Sequence, residues 1–414
     1  MTTRRRLLPL LALGLTIATI SACSSGSSAT SPGTTSVSGV ETSTAAADAY
    51  TPLVPTGTST PRWFTGTDGL VHLVYEVQLT NGFALPMTLD EVTVDGDDGK
   101  EIASFTGTSL TAVMSPLGAP AGESTTVAPS SVAVLWMDLT FDDPDQLPAS
   151  LSHTFTVTVP DDVPIPNPSV YEGARTDVDR TPPVVLGPPL AGPGWIPVGS
   201  CCAGPHRRAL PPRHGKLELG QRFAIDWNGM DDGGFMLRGD ASVNANWVFY
   251  DAPVLAVADG TVVVARDYLE DQIPNAPTPV GIEDGDGNHV VIDIGDGRYV
   301  FYAHLAPGSV TVKEGDRVCS GQQIGRLGNT GSSTGPHLHV HVSDSVSALD
   351  ADGLPYVISG FQFRGQIPPL ETEAFALVEA GKPLPVVPGT PQPRTDQLPM
   401  GRDVVDFPDT VGCS

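Results

Sequence analysis

The chain has 414 residues, of which 40% are hydrophobic, and this supplies enough apolar material for at least two buried cores. Its 47 acidic residues outnumber 22 basic ones, which gives a formal net charge of −25 and argues against nucleic acid as a partner. The negative charge does not by itself identify a substrate, because a large net charge also keeps a protein soluble.

The first residues have the features of an export signal. Residues 4–6 are three arginines, and residues 7–20 form an apolar run that is too short to cross a bilayer comfortably. The run leads into Ile-Ser-Ala-Cys at residues 20–23, which resembles a bacterial lipobox. The resemblance implies removal of residues 1–22 as a signal peptide, lipid attachment at Cys23 and a position on the outer face of the cell membrane. The alternative is an ordinary signal peptide followed by an unmodified cysteine.

A tether and a first β-rich region follow. Residues 23–49 are mostly Ser, Thr, Gly and Ala, which bury too little surface to offset chain entropy, so a flexible tether is expected. Within residues 50–160, apolar residues fall at alternate positions, as in residues 71–79, and Asn-Gly and Asp-Gly turns separate such runs. This pattern predicts an antiparallel β-sandwich of immunoglobulin-like type. His72 and His153 stand alone in it and are interpreted as structural or solvated side chains.

Proline-rich segments flank a second β-rich region. Residues 161–199 contain too many prolines for a regular element and are interpreted as a semi-rigid spacer. Residues 200–364 are dense in short Val- and Ile-rich strands separated by Gly and Asp. The tail, residues 365–414, is again rich in proline, with one short helix predicted at residues 371–380. The fold is therefore predicted to be all-β.

Four cysteines remain besides the one in the lipobox: Cys201, Cys202, Cys319 and Cys413. Their even number, in a chain predicted to reach an oxidising compartment, favours disulfides. A ring between the adjacent Cys201 and Cys202 is strained, so a bond from one or both of them to Cys319 or Cys413 is favoured. A thiolate metal site is the rival interpretation, but no Cys-x-x-Cys spacing supports it. Cys413 is expected to pin the tail.

Three histidines alternate with apolar residues near the end of the second β-rich region. Residues 336–341 read Pro-His-Leu-His-Val-His, and a β-strand would direct the imidazoles of His337, His339 and His341 to one face. Imidazoles on one face are a metal-site geometry. A half-buried strand with its polar residues facing solvent is the alternative, and it suits His341 best.

The surrounding residues resemble a known family. Residues 327–339 read Leu-Gly-Asn-Thr-Gly-Ser-Ser-Thr-Gly-Pro-His-Leu-His, which is similar to the signature of LytM-type metallopeptidases, family M23. Tyr-Ala-His-Leu at residues 302–305 and the glycine-containing runs within residues 312–325 match that family in order and spacing. The resemblance covers roughly residues 200–345. It implies a β-rich peptidase domain of the lysostaphin and LytM type.

The resemblance also implies Zn²⁺ as the cofactor and a role for each matching residue. Asp226 and His339 correspond to zinc ligands, and His304 and His337 correspond to histidines that assist catalysis. His341 is then left to support the site or to face solvent.

The remaining zinc ligand has two candidates. The family usually places its first histidine a few residues before the aspartate, whereas here His206 lies twenty residues before Asp226 and His214 lies twelve before it. His206 is preferred, because its surroundings resemble a subgroup of the family with a longer insert at this point. His214 resembles a loop residue.

The predicted function is that of an exported, lipid-anchored zinc endopeptidase. By the resemblance, its substrate is the peptide of peptidoglycan stems or cross-bridges, and the membrane is a second partner through the lipid at Cys23. Residues 231–239 and 268–283 are interpreted as loops that flank the cleft. The main alternative is a catalytically inactive LytM-like activator or cell-wall-binding lipoprotein, although such domains normally lack one or more ligands. The bond cleaved and the oligomeric state stay open.

Overall fold

A β-sandwich, here called the sandwich, occupies the first part of the described chain. The computed structural model describes residues 50–120, 122–202, 204–369, 373–409 and 413, which belong to one compact unit. Helix α1 (Gly107–Val113) lies between the fifth and sixth strands. The strands of the sandwich are β1 (Val54–Gly57), β2 (Arg62–Thr65), β3 (Val71–Thr80), β4 (Met87–Gly96), β5 (Glu101–Thr106), β6 (Met114–Pro116), β7 (Thr126–Val127), β8 (Val132–Phe141), β9 (Ser150–Thr158) and β10 (Ser169–Asp177).

Two sheets of these strands enclose a common core. One sheet has the order β1-β3-β8-β6 with β2 also paired to β3, and the other has the order β10-β9-β4-β5 with β7 paired to β4. Leu73 and Val77 of the first sheet share a buried cluster with Val92 and Phe155 of the second. The predicted β-sandwich is therefore confirmed, while its immunoglobulin-like type stays a prediction.

Strand β3 is buried on both faces. Leu73 and Tyr75 belong to the sandwich core, whereas Val74 belongs to the core of the domain that follows. Glu76, on the same face as Val74, has 0% exposure. The alternating pattern of β3 predicts the strand correctly, but it does not predict that the second face of the strand is also buried.

The second domain, here called the sheet domain, is built on a long antiparallel sheet. Helix α2 (Phe375–Glu379) lies near its end. Its strands are β11 (Val184–Leu186), β12 (Trp195–Val198), β13 (Pro212–Arg213), β14 (Lys216–Leu217), β15 (Ile225–Gly229), β16 (Pro253–Leu255), β17 (Gly260–Arg266), β18 (Asn288–Asp293), β19 (Tyr299–Leu305), β20 (Arg317–Val318), β21 (Gln323–Arg326), β22 (Leu338–Ser343), β23 (Tyr356–Ile358), β24 (Phe361–Gln366), β25 (Val387–Arg394) and β26 (Asp403–Asp406).

The long sheet has the order β20-β17-β18-β19-β22-β15-β12-β26-β24-β25. Strands β19, β22 and β15 lie side by side at its centre and carry the motif residues. Trp227, Tyr302 and Val340 from these strands lie in the buried core of the sheet domain. The predicted all-β fold is confirmed.

Two segments predicted to lie outside the domains contribute strands. The spacer at 161–199 holds β10, β11 and β12, and the tail holds β25 and β26. Prolines are numerous in both, but apolar residues between them, such as Leu186, Trp195 and Val405, are buried. Burial of this surface outweighs the ladder hydrogen bonds that proline removes, so both segments belong to the folded unit. The short helix predicted at 371–380 is confirmed by α2.

The cysteines pair differently from the prediction. Cys201 bonds to Cys202, and Cys319 bonds to Cys413, so the predicted bond from the adjacent pair to a distant cysteine is wrong. The peptide bond between Cys201 and Cys202 is cis, and their two Cα atoms lie 3.0 Å apart. The tail is pinned by Cys413, as expected.

The predicted signal peptide, the tether and Cys23 lie outside the described residues. Within the described ranges, no helix has the length and apolar character needed to cross a membrane.

A buried histidine in the sandwich gives a pH-dependent prediction. Nδ1 of His153 lies 3.0 Å from the carbonyl oxygen of Ala174 and Nε2 lies 2.8 Å from the Tyr75 hydroxyl, an arrangement that suits the neutral ring. Burial lowers the pKa of His153 to about 4. In the unfolded chain the ordinary pKa is about 6.5, so acidification from pH 7 to about 4.5 protonates the unfolded state first and destabilises the fold by roughly 2 kcal/mol.

His153→Gln should remove this dependence. In urea unfolding of zinc-free protein at the two pH values, the variant should lose roughly 2 kcal/mol less stability on acidification than the wild type. Equal losses in the two proteins would contradict the assignment of His153 as a neutral buried histidine.

Candidate metal centre

Strands β15 and β22 place two candidate ligands side by side. Asp226 is the register partner of His339, and Nδ1 of His339 lies 2.9 Å from Oδ1 of Asp226. Because alternate positions of a strand share a face, His337 and His341 flank His339 on the same side of β22. The three histidines therefore point to one side of the strand, as their alternation in the sequence predicts.

The loop between β12 and β13 adds a third candidate ligand. Nε2 of His206 lies 3.3 Å from Oδ2 of Asp226, and the rings of His206 and His339 are 4.8 Å apart between centroids. Each of the three residues offers one ligand atom, and these atoms all lie within 4.8 Å of one another. This group is called the ligand cluster. His214 is elsewhere: its side chain is 80% exposed, and its Nδ1 lies 2.8 Å from a carboxylate oxygen of Asp350.

The donor set of the ligand cluster fits zinc. Two imidazole nitrogens and one carboxylate oxygen are a common set for a zinc site with one coordination position left open. Burial lowers the pKa of His206 to about 4, although the neighbouring Asp226 carboxylate acts in the opposite direction, so its ring is neutral and able to bind a metal at pH 7. Burial would raise the pKa of Asp226, but the surrounding imidazoles lower it overall and keep the carboxylate ionised.

A backbone irregularity directs His304 toward the ligand cluster. The pairing of β18 with β19 shifts register between Asn288 and Val290, so two residues of β19 lie opposite one of β18. His304 is one of these two and has a φ of 62°. Its N–H donates to the carbonyl oxygen of Asp286 at 2.9 Å. The bulge turns the imidazole to a position 6.0 Å from the ring of His339.

Carbonyl oxygens fix the tautomers of His304 and His337. Nδ1 of His304 lies 2.8 Å from the carbonyl oxygen of Thr330, and Nδ1 of His337 lies 2.9 Å from that of Gly335. A carbonyl can only accept, so Nδ1 carries the hydrogen and Nε2 has the free lone pair when the ring is neutral. Burial holds the pKa of His304 well below its usual range. The two rings are 4.6 Å apart between centroids.

His341 supports the site from inside the protein. It has 0% exposure, its Nδ1 lies 2.9 Å from Nε2 of His339, and its ring stacks on Phe301 with centroids 4.4 Å apart. The solvent-facing alternative for His341 is therefore wrong. Strand β22 is covered on both faces, and this could not be inferred from its own alternation.

The ligand cluster opens into a cleft of about 600 Å³ that His304 and His337 also line. Ile282 from the predicted loop 268–283 contributes to one wall. A neighbouring cavity of about 350 Å³ shares Asp226 and His337 with the cleft and is lined by Met236, Trp247, Phe375 and Val378. The site therefore continues from the cleft into a more apolar groove.

A second group of potential ligands does not fit a metal in this state. His72, Asp138 and Cys202 lie close together, but Cys202 is disulfide-bonded and offers no thiolate. Burial would lower the pKa of His72, but the carboxylates of Asp138 and Asp68 raise it overall. His72 and Asp138 form an ion pair, in which Nδ1 of the buried His72 lies 2.9 Å from Oδ1 of the partly exposed Asp138.

The fold and the site define a β-sheet protein with a candidate His-Asp-His metal site in an open cleft. Residues 247–351 match the family model of peptidase family M23, and the chain thus contains an M23 peptidase domain. His304, His337 and His339 lie inside the matched segment. His206 and Asp226 lie before it, so their assignment depends on the geometry of the ligand cluster.

Named relatives match part of this region. The chain is 41% identical over 87 residues to peptidoglycan DD-endopeptidase ShyA of Vibrio cholerae serotype O1, across 21% of this chain and 16% of that protein. It is 36% identical over 111 residues to glycyl-glycine endopeptidase ALE-1 of Staphylococcus capitis, across 26% of each. The matches therefore span only about a sixth to a quarter of these relatives.

A solved structure of the catalytic domain of lysostaphin from Staphylococcus simulans also aligns with the chain. The identity is 25% and the TM-score is 0.21, over 40% of this chain and 88% of that domain.

Proposed function

We propose that the chain is a zinc-dependent endopeptidase of the cell envelope that cleaves peptide bonds in peptidoglycan stem peptides or cross-bridges. The observation that carries the proposal is the convergence of three ligand atoms within 4.8 Å, from His206, Asp226 and His339. His304 and His337 line the same cleft. The M23 segment and the endopeptidases that match it support the substrate class.

The ligand cluster would hold the metal and leave a position for water. When bound, Zn²⁺ acts as a Lewis acid toward a water molecule and the scissile carbonyl. Nε2 of His337 lies 3.4 Å from Oδ1 of Asp226, so its lone pair is beside the metal position. His337 is placed to accept the proton of the attacking water and to return it to the leaving amine.

The tautomer of His304 sharpens its role. Its Nδ1–H is committed to the Thr330 carbonyl, so Nε2 begins the reaction as an acceptor. His304 can donate to a developing oxyanion only after it gains a proton. Because burial disfavours the charged ring, that proton would be the second proton of the attacking water, and it would pass on to the leaving amine, which departs as an ammonium group.

The groove beside the cleft supports a peptide substrate. A peptide whose scissile bond lies at the ligand cluster would extend from the cleft into the cavity lined by Met236, Trp247 and Phe375. That lining suits an uncharged substrate residue next to the scissile bond. Anchoring through a lipid at Cys23 would place the cleft at the envelope, within reach of the wall.

Zinc-dependent release of new amine termini from purified peptidoglycan tests the proposal. The zinc-loaded protein is expected to produce them, and the chelated protein is not. A zinc-loaded protein that binds peptidoglycan without producing amine termini would instead be the non-catalytic activator or wall-binding protein.

A further inference from the structure

One buried carboxylate of the sandwich contacts both segments that carry the upstream ligands. Oε1 of Glu76 accepts a hydrogen bond from Nε of Arg207 at 3.0 Å, and Oε2 accepts one from Nη1 of Arg222 at 3.2 Å. Arg207 directly follows His206, and Arg222 lies four residues before Asp226. Glu76, Arg207 and Arg222 are called the charged cluster.

Arg207 joins the ligand loop to the sandwich through each part of its guanidinium. Nη1 donates to the carbonyl oxygen of Cys202 at 3.0 Å, within the same loop. Nη2 donates to the carbonyl oxygens of Tyr75 in β3 and Met137 in β8. The side chain of Arg207 is 2% exposed. The residue next to His206 is therefore held by two adjacent sandwich strands.

The buried charges of the charged cluster stabilise one another. Glu76 and Arg222 have side chains with 0% exposure. Burial would raise the pKa of Glu76, but the positive charges of Arg222 and Arg207 lower it overall, so the carboxylate is ionised. Loss of the negative charge would leave two buried cations facing each other without their shared partner. Arg222 would keep a second carboxylate, Oδ1 of Asp352 at 3.4 Å. Arg207 would keep only main-chain acceptors, so the hold on its loop would weaken.

His206 depends on such an anchor more than the other ligands do. Asp226 and His339 are fixed by the strand ladder between β15 and β22. His206 lies in a stretch of turns between β12 and β13, where backbone hydrogen bonds are local, such as Ala209 N–H to the carbonyl oxygen of His206 at 3.2 Å. The distance between His206 and Asp226 therefore depends mainly on side chains that hold the loop against the sandwich, such as Arg207.

We propose that Glu76 is a positioning residue of the metal centre, which makes the sandwich a structural part of the zinc site. The proposal rests on the proposed function, because it takes the ligand cluster as the zinc site. Glu76 touches no ligand directly and acts through Arg207 on His206 and through Arg222 on the start of β15.

The test compares the zinc affinity of the full chain with that of Glu76→Gln, by competition with a chromogenic chelator. Supporting interactions of metal ligands are typically worth about 10- to 100-fold in affinity, and a loss in this range is expected. The absorption spectrum of the Co²⁺-substituted variant should also change, because the position of one nitrogen ligand changes. Neither readout depends on peptidase activity.

Asp403→Asn is the matched control. Asp403 is also a buried carboxylate between the domains, contacting the Thr67 hydroxyl and accepting a hydrogen bond from Gln366 at 3.0 Å. This variant should bind zinc as the wild type does, even if its melting temperature falls equally. If Glu76→Gln fails to fold, Arg207→Met serves instead, because it leaves the Glu76–Arg222 pair in place.

The outcomes separate the two proposals. A wild-type protein that binds no zinc would overturn the zinc site itself. A zinc-binding wild type with a folded Glu76→Gln variant of equal affinity and unchanged Co²⁺ spectrum would overturn only the role of Glu76. Equal losses of affinity in Glu76→Gln and Asp403→Asn would also overturn it, because they would show a general effect of a loosened domain interface.

Discussion

His206→Ala should weaken zinc binding by roughly 10²- to 10³-fold. A structural zinc site has a total binding free energy of about 10–16 kcal/mol, shared among about four ligands, so one ligand accounts for about 2.5–4 kcal/mol. His206 is one of the three residues whose ligand atoms converge within 4.8 Å. Chelator competition with the purified variant measures the loss, and circular dichroism checks that the fold is kept.

His214→Ala is the control for this experiment. It lies in the same connection between β12 and β15, but its side chain is 80% exposed and pairs with Asp350 on the surface. Its zinc affinity should equal that of the wild type. Loss of zinc in His214→Ala, with affinity retained in His206→Ala, would contradict the ligand cluster.

His337→Ala and His304→Ala should still bind zinc but should lose most of the peptidase activity. General acid–base catalysis by a positioned side chain contributes about 10²- to 10⁴-fold, and kcat is expected to fall by that factor in each variant. Both residues have Nδ1 bonded to a carbonyl oxygen, so Nε2 is the atom available for proton transfer. Zinc content and the rate of peptidoglycan digestion should be measured on the same preparations.

His289→Gln is the matched control for the catalytic pair. His289 is buried in the neighbouring strand β18, where its Nδ1 lies 2.8 Å from the carbonyl oxygen of Gly287. Its substitution should change kcat by no more than a few-fold. An active His337→Ala variant would contradict the proton-transfer role, and a variant that had lost zinc would instead make His337 a ligand.

Much of the fold and part of the site could be predicted because the signals are local. Alternation in residues 71–79 and 336–341 gives strands and side-chain directions directly. The grouping of His337 and His339 on one face follows from the same rule. The buried apolar residues of the proline-rich spacer were missed because proline count says nothing about what lies between the prolines.

The rest depends on contacts between residues distant in sequence. His206 meets His339 across more than 130 positions, and loop length changes the entropy of such a closure only slowly, so spacing could not decide between His206 and His214. The contact of Glu76 with Arg207 spans 131 positions and joins two domains. Likewise, the register shift that aims His304 exists only once β18 and β19 are paired.

Product analysis of peptidoglycan digestion tests the central claim most directly. Purified peptidoglycan is incubated with zinc-loaded wild type, chelated wild type and His339→Ala, and soluble fragments are identified by mass spectrometry. We expect new amine and carboxyl termini at one kind of peptide bond, with zinc-loaded wild type alone. Zinc bound at one ion per chain without new termini would contradict the peptidase, as would cleavage that persists in the chelated protein or in His339→Ala.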